Sequence, residues 1–297
     1  MNVVKKIFIF LFIIVALVYV SNVVIIGEKL LGGLPWVFEF LFDVALIFAP
    51  IFVVGLSIST SLKKYKRAPN GALARCLNGK ASCDEVKLLS EMMLSSGSFS
   101  ESEKKEIRNK VRLATGWREG FKTILSERIE KSKKQANENG VLAAISVVFS
   151  GKGVFDSLIL LFWKIKTINA TIKLFGVRPS LKKLWVIYTN TIFGAFLAGS
   201  LDELLDIIDI EQSIGNLLPQ VGGVAALAVN TLPQATFAHY SIVKVSSMTR
   251  QYLFDAECKA NLRDISKKAK EEAKESLLSI NILDIIKEIK EKFNLIF

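Results

Sequence analysis

The stretch "GAFLAGSLDELLDIIDIEQSIG" (residues 194–215) begins like the inside of an apolar helix and ends like an acidic surface. Asp202, Glu203, Asp206, Asp209 and Glu211 lie in it with no basic residue among them, in a chain of net charge +11. Asp202, Asp206 and Asp209 share a helix face, as a metal-binding row would. No His or Cys joins them, and Leu201, Leu204, Leu205 and Ile208 supply an opposite, apolar face. The acidic run therefore reads as a marker of position at one end of a hydrophobic pair. Upstream, residues 185–201 are seventeen residues without charge, with Gly194, Ala198 and Ala195, Gly199 spaced for close helix contact. Downstream, residues 212–243 are thirty-two residues without a formal charge. Lys182 and Lys183 precede the pair, and Lys244 and Arg250 follow it. Basic residues at both outer ends and none in the connection predict a membrane hairpin over 185–201 and 220–243, its acidic turn outside. A cytoplasmic helical bundle built from the same segments is the alternative.

The N-terminus repeats the pattern with a stronger signal. Lys5 and Lys6 precede an uncharged run over residues 7–26, about twenty residues, enough for the roughly 30 Å hydrocarbon core. The run is longer than a signal-peptide core and lacks a small-residue cleavage site, so it is expected to remain as an anchor. After the link "GEKLLGGLP" a second apolar run follows, read as a span over 38–59, with Pro50 tolerated as a kink. Glu39 and Asp43 stand four apart in it and share a face. They are either an intramembrane carboxylate pair or an interfacial acid beside one facing a neighbouring helix; the second reading is preferred. Lys63, Lys64, Lys66 and Arg67 come next, while the link holds only Lys29, which places both outer ends in the cytoplasm.

Composition fits membrane segments joined to polar helical parts. Of 297 residues, 51% are hydrophobic and 23% charged, and mean hydropathy is +0.38. Lys and Arg outnumber the acids 39 to 28, which suits anionic lipid or the cytoplasmic flanks of spans. The basic residues adjoin apolar runs and do not interleave with aromatics, so nucleic acid is not expected as a partner. Cys76, Cys83 and Cys258 form no CxxC pair and read as reduced thiols. His239 is the only histidine, which excludes a multi-histidine metal site; it is expected to be hydrogen-bonded within a helix pair. "NGKAS" (78–82) and "SGKG" (150–153) lack both the leading glycine and the Ser or Thr of a phosphate-binding loop.

Residues 68–140 read as a polar cytoplasmic helical segment. Ser100 and Glu103 have capping-box spacing, and Ile107, Val111, Ala114 and then Phe121, Leu125, Ile129 mark amphipathic faces. The run "ERIEKSKKQANEN" beyond them reads as a solvated face. From residue 141 the chain turns apolar. A break at "SGKG", a helix to Phe175 and a stop at "GVRP" are expected, the glycine suiting a C-terminal cap and the proline forbidding continuation. In the tail, 251–297, Ile282, Ile286, Ile289, Phe293 and Ile296 form one apolar stripe for packing on the protein or on a membrane surface, and residues 267–275 read as a solvated helix.

The order "SLILLFWKIKTINATIKLFGVRPSLKKL", "FLAGSLDELLD" and "QVGGVAALAVNTLPQATFAHYSIVKVSSMTR" resembles the YcjF-like family of uncharacterised bacterial inner-membrane proteins. Trp163 with Lys164, the "LFGVRP" break, the small-residue helix ending at Glu203 and the glycine-rich helix from Gly222 carry the resemblance, over residues 141–250. The family's pattern ends in an arginine-proline-leucine-proline stretch; "SMTRQYLFD" keeps Arg250 without the prolines. The resemblance implies no known catalytic residues. It implies association with a GTPase-like partner, because related domains are attached to Era-like GTPase domains.

The expectation is an all-α helical protein of the bacterial cytoplasmic (inner) membrane, multi-pass, with both termini cytoplasmic. Its parts are an N-terminal transmembrane hairpin (1–67), the polar segment (68–140), the YcjF-like domain (141–250) and charged amphipathic helices (251–297). No catalytic, cofactor-binding or metal-ligating residue is assigned. The expected role is a non-enzymatic scaffold or adaptor contacting the lipid bilayer and a GTPase-like cytoplasmic protein, with homo-oligomerisation open. The alternative is a small oligomeric transporter or channel using Glu39 and Asp43.

Overall fold

The computed structural model describes residues 44, 52–113, 117–150, 153–196, 225–255 and 262–279. The architecture is all-α apart from one two-residue strand pair. Helix α1 covers residues 52–64. It is followed by β1 (Lys66–Arg67), α2 (Ala72–Leu77), α3 (Cys83–Ser95), α4 (Glu101–Leu113) and α5 (Trp117–Ser150). Then come α6 (Gly153–Phe175), β2 (Val177–Arg178), α7 (Leu181–Phe196), α8 (Ala225–Phe254) and α9 (Leu262–Ser279). The expected N-terminal span 7–26, nearly all of 38–51, the acidic run and the apolar stripe of the tail lie outside the described residues.

The longest helix organises the rest. Along α5 the residues Phe121, Leu125, Arg128, Ser132, Ala136, Asn139, Ala143 and Val147 are all buried. Their spacing of three and four keeps them on one side of a helix. The stripe is apolar at both ends and polar in the middle, so hydropathy loses it where geometry does not. The expected solvated face "ERIEKSKKQANEN" is thus half correct: Glu127, Glu130, Lys131 and Lys134 are exposed, while Arg128, Ser132, Ala136 and Asn139 are buried. Gly140 does not break the helix, which runs on to Ser150 across the expected boundary at 140.

Antiparallel neighbours pack on this stripe. Asn139 meets Thr167 at 3.2 Å and Ser146 meets Trp163 at 3.3 Å, which sets α6 antiparallel to α5. Ser132 lies opposite Ser246, and Ala143, Ala144 and Val147 cluster with Ala235, Ala238 and Ile242, so α8 is antiparallel too. Helix α1 runs parallel to α6, fixed where β1 pairs with β2 in the register Lys66↔Val177 and Arg67↔Arg178. The break at "LFGVRP" falls where expected. Gly176 takes φ 64°, and its N–H donates to the Ile172 and Lys173 carbonyls at 3.0 and 3.2 Å.

These directions give the bundle two unlike ends. At the near end, α2–α4 close over the first half of α5 with Leu73, Leu89, Met93, Phe99, Phe121 and Phe175 in one core. The Ser100–Glu103 capping box is formed: the Ser100 N–H donates to Glu103 at 3.0 Å and the Glu103 N–H to Ser100 Oγ at 3.3 Å. A second box, Ser82–Glu85, starts α3. At the far end lie the last described residues of α5 and α7 and the first described residues of α1, α6 and α8.

Among the described residues no helix is long and apolar enough to cross a membrane. The expected second hairpin over 185–201 and 220–243 thus has no support among the described residues. The stretch of α8 from Ala235 to Tyr252 is core of the bundle, and residues 197–224 lie outside the described set. Two of its four basic flanks are also spoken for. Lys183 pairs with Asp255 at 3.1 Å, and Arg250 pairs with Glu272.

Candidate functional site

The most concentrated polar chemistry among the described residues is a buried seam where α5, α6, α8 and α9 meet. Helix α8 places Ser246, Ser247 and Arg250 on its inner side, all buried, because positions 246, 247 and 250 lie within one turn. The Arg250 guanidinium donates to Ser132 Oγ at 3.1 Å, to Ser246 Oγ at 3.0 Å and to the Glu272 carboxylate. Thr171 lies 3.2 Å from Ser246 Oγ, and Ser247 donates to Glu272 at 2.6 Å. The guanidinium thereby ties α8 to α5 and α9, and Ser246 brings in α6 through Thr171. A planar fork with five donors suits this task as a lysine would not.

The seam holds helices together and is poorly disposed for reaction. Ser247 has a carboxylate beside it, but Glu272 is engaged by the Arg250 guanidinium, and Ser247 is fully buried. A second cluster seats α1. Asn169 donates to Ser57 Oγ at 2.6 Å and accepts from Tyr188 at 3.0 Å and from Ser61 at 3.3 Å. This cluster carries the inner end of the expected second span, whose Val54, Ser57 and Ile58 are buried against α6 and α7.

His239 is fully buried between α5 and α8, and neither ring nitrogen has a partner. The expected hydrogen bond within the helix pair is therefore absent. Burial holds the imidazole neutral, pushing its pKa down to about 4. Cys76 is buried at the near end and burial pushes its thiol up to about 12, so it is no nucleophile; Cys83 is exposed. Asp156, in the first turn of α6 at the far end, has one buried carboxylate oxygen without a partner, and burial raises its pKa. Among the described residues no group of three or more His, Cys, Asp or Glu could hold a metal ion. Glu39, Asp43 and Cys258 lie outside the described residues, as does Lys152 of the "SGKG" look-alike, while Lys80 sits in the turn between α2 and α3.

The sequence reading missed the seam. Arg250 was visible only as a flank, and Ser132 fell within a run read as solvated. Their signal was positional: each lies on a three-four stripe whose neighbouring members are plainly core. No family model, curated protein or solved structure matches the chain.

Proposed function

We propose that the chain is a membrane-anchored helical scaffold or adaptor, without a reaction of its own, that presents its near end to a cytoplasmic partner. One directional observation carries the reading. The two hydrophobic stretches that leave the described helices, before residue 52 and between Phe196 and Ala225, both attach at the far end, while the polar helices α2–α4 cap the opposite end. A hairpin over 7–26 and 38–59 would hold the bundle by that end, the last residues of its second arm seated on α6 and α7. The basic run from Lys63 to Arg67 puts the bundle on the cytoplasmic side of a bacterial inner membrane.

The buried parts of α7 and α8, Leu184 to Tyr188 and Ala235 to Tyr252, are read as bundle. Resemblance to the YcjF-like family makes a GTPase-like protein the first partner to seek. The transporter alternative gains no support from the described residues.

The test is co-purification of the tagged full chain from native membranes in mild detergent. A GTPase-like or other cytoplasmic protein should be recovered and should be lost on Leu88→Glu, a change at an exposed near-end position. Recovery of no such protein overturns the adaptor reading. Cysteine labelling of residues 202–216 tests the topology: access from the cytoplasmic side alone supports the bundle, and access from outside restores the second hairpin.

A further inference from the structure

On α1, α6 and α7 we infer that the outer faces form a second membrane contact, an apolar and lysine-bearing flank that lies against anionic lipid headgroups. The inference rests on the anchored reading above and adds a surface to it. Phe52, Leu56, Phe162 and Trp185 are 66%, 51%, 56% and 62% exposed, unusual values for side chains of this size.

Their heights along the bundle can be read from the Ser57–Asn169–Tyr188 contact. Phe162 precedes Asn169 by two turns on the same face, and Phe52 precedes Ser57 in the parallel α1, so both lie toward the far end. Trp185 precedes Tyr188 in the antiparallel α7 and therefore lies toward the near end. Exposed Lys173, Lys63, Lys182 and Lys64 lie about 2–6 Å further toward the near end, beside the exposed Leu181, and exposed Lys166 stands between Phe162 and Trp185, its Nζ 4.0 Å from the Trp163 ring centre.

Apolar side chains toward the anchor, then tryptophan, then lysines is the order of a bilayer interface. The lysine row is about 15 Å from Phe52 along α1, a separation that flexible lysine stems reach back across. Charge favours anionic lipid over a neutral surface: the exposed side chains of α1, α6 and α7 among the described residues include five lysines, Lys63, Lys64, Lys166, Lys173 and Lys182, and no carboxylate. The far-end attachment of residues 1–51 brings this flank to the membrane in the first place.

The experiment uses the full chain with Cys83→Ser and Cys258→Ser, leaving the buried Cys76 unreactive. An environment-sensitive fluorophore is placed on Leu56→Cys, Phe162→Cys or, as a near-end control, Leu88→Cys. The protein is reconstituted into phosphatidylcholine vesicles with or without about 30% phosphatidylglycerol, and spin-labelled lipid is the quencher. The probe at 162 should be quenched several-fold more than the probe at 88, while the probe at 56, inside the proposed span 38–59, reports on the anchor. Lys64→Glu with Lys166→Glu should remove most of the excess at 162 in anionic vesicles only.

Equal quenching at 162 and 88 overturns the inference, and so does quenching at 162 indifferent to anionic lipid. Energy transfer between copies with no lipid quenching would show that a second copy covers the flank, which also overturns it. Alkaline carbonate extraction of the same vesicles separates the two ideas. Protein that is stripped off defeats the anchored reading itself, whereas protein retained with the probe at 162 in water defeats the flank alone.

Discussion

Gly140 of α5 and His239 of α8 meet so closely that a Cβ on Gly140 would stand 2.5 Å from His239 Cδ2 and 2.9 Å from Nε2. The glycine that reads in sequence as the end of a polar run is the gap into which the only histidine fits. Gly140→Ala should therefore destabilise the fold by about 1–3 kcal/mol, despite alanine's better helix propensity. Adding His239→Ala should make the Gly140→Ala step nearly neutral. A double-mutant cycle by denaturant unfolding in mild detergent measures the coupling; additive effects would sink the contact.

Neutral burial of His239 gives stability a definite pH dependence. The imidazole's ordinary value is 6.5, and in the fold it is pushed down to about 4. Between those values the unfolded chain binds a proton that the folded chain refuses. Its contribution is thus fully present above about pH 6.5 and is lost as pH falls toward 4. The loss at pH 5 should be about 2 kcal/mol relative to pH 7. His239→Leu should remove that part of the acid sensitivity, and an unchanged difference between the two pH values would contradict it.

The Arg250 fork should be costly to remove alone and cheaper to remove with its partner. Arg250→Met strands the Glu272 carboxylate and leaves Ser132 and Ser246 without their donor. The expected cost is about 3 kcal/mol, and Arg250→Lys should recover only part of it. Combining Arg250→Met with Glu272→Gln should regain more than half, because no charge is then left unpaired. Thermal unfolding of the three variants decides between a structural pair and an inert one.

Gly176 combines two demands that can be separated. Its φ of 64° costs any side chain about 1–2 kcal/mol, and a Cβ there would lie 2.7 Å from Phe99 Cε2. Gly176→Ala should cost about 3 kcal/mol in the parent. In a Phe99→Leu background the clash should relax while the backbone strain persists. Equal costs in both backgrounds would remove Phe99 from the account.

Breaks proved more legible than burial. The stop at "LFGVRP" depends on local backbone chemistry, and the structure ends α6 at Phe175 as the residues dictate; residues 151–152 of "SGKG" lie outside the described residues. The Ser100–Glu103 box is legible for the same reason. Arg250, Lys183 and Arg128 are a different matter. Each is satisfied by an acid distant in sequence or in another helix, and a charge buried in a pair looks in sequence like a charge in water. Counting basic residues around 185–243 therefore treated internal ion pairs as topological flanks. The candidate seam was hidden similarly, since its serines and threonines have no periodic signature until α5 and α8 are set side by side.

The seat of α1 has a consequence for how the chain is made. Ser57 rests on Asn169, 112 residues later, and on Tyr188, 131 residues later. On the ribosome, the side of α1 bearing Val54, Ser57, Ile58 and Ser61 is complete long before the residues that cover it have been synthesised. During that interval α6 and α7, on which this side rests, do not yet exist. Synthesis of this protein thus leaves α1 waiting for these later neighbours, and a chaperone or bilayer that shelters it for that time would set the yield of folded protein.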